Sequence, residues 1–190
     1  MSRVINKCGY LELIIGPMYS GKTSRLINIY NKCLANKQTV MAVNFAEDVR
    51  YSTTMLSTHD RSMIPCVNVL QLQQINTDYS KQYTESDVIL INEGQFFSDV
   101  VDWVKSSLKA HKTIYVCGLD GDYKQDRFGD WLDLIPLCDN ITKQKAKCKL
   151  NDCNEDAIFT HRISSETQQK LIGNDNYIPL CRGCYENVNR

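Results

Sequence analysis

The sequence predicts an α/β fold in which a mostly parallel sheet carries helices on both faces, followed by a small C-terminal unit of different character. Two patterns predict it. Short β-branched runs alternate with stretches of helical spacing as far as residue 119, the arrangement expected of layered βα units. Beyond about Ile141 the chain turns polar and cysteine-bearing, with no long apolar strand. The expected division is therefore residues 1–140 and residues 141–190.

Each element has its own signal. Tyr10–Ile15 (YLELII) is a short apolar run flowing into a Gly-rich turn, the mark of a buried strand. Thr23–Leu34 carries Leu26, Ile27, Ile29, Tyr30 and Leu34 as a helical stripe, and Thr39–Phe45 (TVMAVNF) is a second strand. Together they form a βαβ unit. Residues 46–65 are polar and irregular, a long loop for a compact domain, and loops of that length are usually functional or mobile. Val88–Ile91 (VILI) reads as a central parallel strand. Ser98–His111 has helical spacing at Val100, Val101, Val104 and Leu108, with Ser98 as the expected cap. Thr113–Leu119 (TIYVCGL) is a further buried strand.

Composition narrows the class. Apolar residues make up 43% of the 190 and charged residues 23%, enough for a packed core. Lys plus Arg and Asp plus Glu balance at 22 each, so no overall charge draws the chain to nucleic acid or to a membrane. No apolar run is long enough to span a bilayer, and Met1–Tyr10 has no signal-peptide core. The expectation is a soluble cytoplasmic protein. Five of the nine cysteines (Cys8, Cys33, Cys66, Cys117 and Cys138) lie in ordinary surroundings and read as reduced thiols.

Gly16-Pro17-Met18-Tyr19-Ser20-Gly21-Lys22-Thr23 fits G-x-x-x-x-G-K-[ST]. Glycines let backbone N–H groups turn inward around phosphate oxygens, and the following helix adds its positive end. Lys22 would reach the β and γ phosphates, and the Thr23 hydroxyl would ligate magnesium. The motif sits between an apolar run and an amphipathic helix, as that mechanism demands. It does not by itself name a reaction.

A second acidic site is expected where Val88–Ile91 ends in Asn92-Glu93. The strand resembles a Walker-B strand, yet its first polar residue is an amide and Glu93 is its tip carboxylate. Two roles compete for Glu93: a partner in the magnesium shell, or a general base for an attacking hydroxyl. Asp48 and Arg50 open the long polar loop. Arg50 there could neutralise phosphoryl charge, and a solvated ion pair explains the two residues equally well.

Cys148 and Cys153 (C-x4-C) pair with Cys181 and Cys184 (C-x2-C) across residues 154–180. Four thiolates in two short-spaced pairs read as a closed, structural zinc site. His161 lies between the pairs and reads as a surface or substrate-adjacent residue rather than a ligand. A zinc knuckle alone could bind nucleic acid. Residues 154–180, however, contain Phe159, Thr160, Arg162, Gly173 and Tyr177 and lack the dense Lys/Arg patch of a backbone reader. A loop pinned by zinc over a small-molecule pocket is the better expectation.

The segments GPMYSGKT (Gly16–Thr23), EDVRYS (Glu47–Ser52), THDR (Thr58–Arg61), NEGQFF (Asn92–Phe97), GLDGDY (Gly118–Tyr123) and CRGC (Cys181–Cys184) resemble type II thymidine kinases, in order and spacing, from Tyr10 to Cys184. The resemblance implies a P-loop NTPase-like nucleotide-binding domain (1–140) and a zinc-binding lasso domain for the substrate (141–190). It implies transfer of the ATP γ-phosphate to thymidine or deoxyuridine, with magnesium, structural zinc, a homotetrameric assembly and thymidine triphosphate as feedback inhibitor. By motif, Glu93 becomes the catalytic base. Gly16 to Thr23, Asp48, Arg50 and Asn92 fall on the ATP and phosphate side. Met18, Phe96, Leu119, Tyr123, Thr160, Arg162, Leu171, Ile172, Gly173 and Tyr177 fall on the nucleoside side.

Four departures from the family pattern stand out. Asn92 replaces an Asp immediately before the catalytic Glu, and the first cysteine pair is C-x4-C rather than C-x2-C. A single Gly173 followed by Asn174 replaces two glycines, and Tyr123 stands where Phe is common. The amide at 92 also admits a second reading, a catalytically impaired nucleotide-binding homologue with a regulatory role.

Overall fold

The computed structural model describes residues 8–48, 54–57, 62–150, 152–173 and 175–189. Arg50, Tyr51 and Ser52, the THDR segment and Asn174 lie outside these residues.

Six strands form a wholly parallel sheet: β1 (Tyr10–Ile15), β2 (Val40–Phe45), β5 (Val67–Val69), β6 (Val88–Ile91), β7 (Thr113–Gly118) and β8 (Asn140–Lys143). Their order is β5-β2-β6-β7-β1-β8. Alternation along the central strands explains why helices cover both faces. Leu11, Leu13, Met41, Val43, Ile89, Ile91, Ile114 and Val116 point to one core, whereas Ile14, Ala42, Val88, Leu90 and Cys117 point to the other. The second core is closed by α1 (Lys22–Ala35) through Leu26, Ile27 and Cys33, together with Leu56 of β3 (Met55–Ser57) and Ile64 of β4 (Met63–Pro65). The first is closed by Ile75 of α2 (Gln74–Asp78), by Val100, Trp103 and Val104 of α4 (Val100–Lys109), and by Trp131 and Leu134 of the 3₁₀ segment Trp131–Leu137. A short α3 (Ser80–Glu85) precedes β6.

Two expectations change. The stretch 46–65 is not all loop, because β3 and β4 pair antiparallel within it. Three-residue strands are too short to show a period in sequence. Ser98 does not cap α4: the N-cap is Asp99, and its carboxylate accepts instead from the Leu72 and Gln73 N–H groups. Glu12, a charge inside the β1 run, is buried and paired to Arg25 of α1 at 2.9 Å.

The expected change of character near Ile141 falls inside β8, which hydrogen-bonds to β1, so the large sheet extends to Lys143. Beyond it, β9 (Ala146–Lys147) pairs with β10 (Asp156–Ala157), and β11 (Phe159–Arg162) with β12 (Tyr177–Leu180). Helix α5 (Arg182–Val188) is the last element among the described residues, and a separate small core gathers Ala146, Cys148, Ala157, Leu180 and Tyr185.

Candidate active site

In an open parallel sheet, ligands bind beyond the carboxyl ends of the strands, where neighbouring connections diverge. Here the loops after β1, β2, β6 and β7 and the loop between β11 and β12 enclose a cavity of about 370 Å³. That volume suits a small molecule.

The loop after β1 has the conformation its glycines allow. Gly16 (φ 149°) and Gly21 (φ 79°) occupy backbone regions that side chains avoid, and Tyr19 (φ 63°) joins them. A Cβ on Gly16 would lie 2.5 Å from the Gln144 carbonyl oxygen. Helix α1 starts at Lys22 with no side-chain cap and no acidic residue in its first turn. The N–H groups of its first turn therefore present positive potential to the cavity. The Lys22 ammonium donates to the Pro17 carbonyl at 2.7 Å and to the Ser20 hydroxyl at 3.5 Å. Met18 to Thr23 line the cavity, while Gly16 and Pro17 lie behind them.

Glu93 follows β6 in a left-handed conformation (φ 56°, ψ 48°). A non-glycine residue held there signals local constraint, and such residues cluster at functional sites. Gln95 supplies part of that constraint. Its amide donates to the Glu93 carboxylate at 2.6 Å, while its own oxygen accepts from the Leu119 N–H at 3.1 Å. Beneath this turn the fully buried Trp131 donates to the Leu119 carbonyl at 3.0 Å. Gly118 must be glycine, since a Cβ would sit 2.6 Å from the Gln95 oxygen and 2.9 Å from the Trp131 ring.

Asn92 is 2% exposed, and both ends of its amide are hydrogen-bonded. Its oxygen accepts from the Thr23 hydroxyl at 3.4 Å and from the Cys117 thiol at 3.0 Å, and its nitrogen donates to the Asn44 oxygen at 2.8 Å. Burial pushes the Cys117 thiol up to about 12, so it remains a donor at neutral pH. Asn44 in turn donates to the Asn68 oxygen and the Asp48 carbonyl, each at 3.3 Å.

The opposite wall is mostly apolar. Phe96 packs against Phe45 and edge-on against Phe128, with ring centroids 5.1 and 5.4 Å apart. Met18, Leu119, Tyr123, Thr160, Leu171, Ile172, Gly173 and Tyr177 complete it, and Asp48 reaches the same cavity. The Thr160 hydroxyl accepts from the Met18 N–H at 2.9 Å, joining the far wall to the phosphate loop.

Arg162 does not line the cavity. Its guanidinium donates to the carbonyls of Glu166, Gln168 and Gln169 at 2.6–3.1 Å and to the Tyr177 hydroxyl at 2.5 Å. It also stacks 3.8 Å from the Tyr123 ring centroid. It thereby fastens the β11–β12 loop, helped by Tyr123 donating to the Thr167 carbonyl at 2.8 Å and Gln169 donating to Asp122 at 2.8 Å. Lys170 closes the loop's edge, paired to Glu47 at 2.6 Å and lying 4.5 Å from the Phe45 ring centroid. Ser24, Asn44, Gln95, Asp122, Phe128, Gln169 and the Met55–Ser57 strand are cavity residues that sequence reasoning missed. Gln95 stood within the NEGQFF motif and could have been found there.

The sulfurs of Cys148, Cys153, Cys181 and Cys184 all lie within 4.8 Å of one another. Tetrahedral Zn–S bonds of about 2.3 Å require edges of about 3.8 Å, and the Cys153–Cys181 separation is 3.8 Å. The two extra residues of C-x4-C are thus absorbed without splitting the quartet, and the four cysteines fit a metal ion. His161 lies outside this set, its ring edge-on to Tyr185.

Comparison with known proteins places this arrangement. The sequence model of the thymidine kinase family matches residues 9–185. A rice thymidine kinase is 38% identical over 93% of this chain and 66% of its own length. A chicken cytosolic thymidine kinase is 35% identical, covering 93% and 77%. The thymidine kinase of sheeppox virus is 35% identical, covering 93% of this chain and 97% of its own. This chain belongs to the thymidine kinase family.

Proposed function

We propose that the protein transfers the γ-phosphate of ATP to the 5′-hydroxyl of thymidine or deoxyuridine, giving the monophosphate for pyrimidine deoxynucleotide salvage. The observation that carries this reading is the meeting of the phosphate loop, Glu93 and the apolar wall in one cavity. Phosphoryl transfer needs positioning, charge neutralisation and an oriented nucleophile rather than covalent help from the protein.

The residues divide that work. The N–H groups from Tyr19 to Thr23, the α1 terminus and Lys22 hold the phosphates, while the Met18 N–H holds Thr160. Arg50 joins them by motif. Glu93, oriented by Gln95, accepts the proton as the 5′-oxygen forms its bond to the γ-phosphorus and the bond to the β–γ bridging oxygen breaks, releasing ADP. Phe96, Leu119, Tyr123 and Tyr177 enclose the base, and the 163–173 loop offers it backbone groups. Closing that loop over the site excludes water and limits idle ATP hydrolysis.

Magnesium, bound with ATP, would neutralise phosphate charge. The Thr23 hydroxyl oxygen, its hydrogen taken by Asn92, would hold it, with phosphate and water oxygens completing the oxygen set it prefers. Zinc at the four cysteines would be structural, leaving no open position for chemistry. Residues beyond the large sheet thus serve as the substrate-gripping unit. No helix among the described residues is long and apolar enough to cross a membrane, and the reading is of a cytoplasmic enzyme. A homotetramer and feedback by thymidine triphosphate complete the proposal through the family, with no role for nucleic acid.

The test is transfer of labelled γ-phosphate from ATP to thymidine, with and without magnesium, against deoxycytidine. Magnesium-dependent product with thymidine alone is expected. Absence of product from zinc-loaded protein that still binds ATP would favour the regulatory reading raised by Asn92.

A further inference from the structure

Asn92 departs from the family's carboxylate, and its surroundings explain how the site works without one. We propose that Asn44 is a positioning residue for the phosphate end of the site. Acting through Asn92, it fixes the acceptor that orients the Thr23 hydroxyl, and the two amides form a neutral unit into which a carboxylate at 92 alone does not fit. The inference rests on the kinase reading.

The argument is one of donors and acceptors. The Asn44 oxygen faces Asn92 at 2.8 Å, and both residues are buried, at 3% and 2% exposure. The Asn44 nitrogen is committed the other way, to the Asn68 oxygen and the Asp48 carbonyl. An amide at 92 can donate to Asn44 while its oxygen collects the Thr23 and Cys117 hydrogens. An aspartate there presents an oxygen to an oxygen. Rotating the Asn44 amide to donate would turn its oxygen onto the Asp48 carbonyl, moving the conflict rather than removing it. The Thr23 and Cys117 hydrogens would serve one carboxylate oxygen, but the other would be a buried anionic oxygen facing an acceptor, which is costly, whereas a hydrogen-bonded neutral pair is not. The ladder therefore keeps the Asn92 oxygen aimed at Thr23 by geometry instead of charge.

The test follows binding of a fluorescent ATP analogue across a magnesium titration, alongside steady-state kinetics and the melting temperature, for Asn44→Leu, Asn92→Asp and the double variant Asn44→Lys with Asn92→Asp. Asn44→Leu should weaken magnesium–nucleotide binding and raise the ATP KM about tenfold while moving the thymidine KM less than about twofold. Asn92→Asp alone should weaken it by a similar factor of about ten, and the double variant should recover to within about threefold of wild type, because a cation at 44 supplies the missing donor. Tighter magnesium–nucleotide binding by Asn92→Asp alone, or an unchanged ATP KM in Asn44→Leu, would overturn the proposal. Should Asn92→Asp not fold, Asn44→Leu carries no charge and still decides it. A wild-type protein that binds the analogue but makes no thymidine monophosphate would refute the kinase reading instead, leaving the binding results to judge the ladder.

Discussion

The two ends of the cavity are built by different means. The phosphate end is local and made largely of backbone: Gly16 to Thr23 run without a break from β1 into the first turn of α1, and Gly16 and Gly21 adopt conformations that a side chain disfavours. The nucleoside end is assembled from afar. Met18, Phe96, Leu119, Thr160 and Tyr177 come from five segments, and the loop facing them is tied down by side chains reaching its carbonyls. Replacing a side chain other than a glycine's hydrogen leaves a backbone site largely in place, whereas a loop held chiefly through side chains, Arg162 above all, depends on them. Perturbations should therefore separate the two ends, with Glu93 at their junction.

The largest effect should come at that junction. Glu93→Gln keeps the acceptor for Gln95 but removes the base, and kcat should fall roughly 10²- to 10⁴-fold with both substrates still bound. Comparable turnover in this variant would break the assignment of the base. Next is Arg162→Ala. It strips three loop carbonyls and the Tyr177 hydroxyl of their buried donor and should raise the thymidine KM by roughly tenfold to a hundredfold, with ATP binding little changed. Equal losses at both ends would mean the arginine supports the whole domain rather than the loop. Gln95→Leu unties Glu93 while keeping its charge, so kcat should drop about tenfold with both KM values nearly constant. Smallest is Lys170→Ala. Its pairing with Glu47 is exposed, and the thymidine KM should change by no more than about threefold, less at high salt.

The same contrast explains what could be read in the sequence. The phosphate loop, β6 and the Glu93 position were legible because backbone geometry demands particular residues at fixed spacing. Both cysteine pairs were legible for the same reason, and the quartet does converge. Arg162 was assigned to the substrate side, whereas the structure sets its guanidinium among loop carbonyls behind the wall. Nothing in a sequence distinguishes an arginine that touches a ligand from one that holds the loop which does. Gln95 stood in a motif, but its bond to Leu119 depends on the parallel pairing of β6 with β7, and Trp131 was missed because its segment meets Leu119 only in the folded chain. The short β3–β4 pair within 46–65 carried too few residues to show alternation. The four segments carrying the family resemblance that lie wholly within the described residues, GPMYSGKT, NEGQFF, GLDGDY and CRGC, all fall at or beside the cavity or the cysteine quartet.

The claim that the two grips are separable is tested most directly by calorimetric titration of zinc-loaded and zinc-stripped protein with an unhydrolysable ATP analogue and, separately, with thymidine. The account predicts that stripping the zinc weakens thymidine binding by at least about tenfold, since the pinned loop loses its anchor, while nucleotide affinity changes by no more than about threefold. Unaltered thymidine binding, or a parallel loss of both ligands, would contradict it.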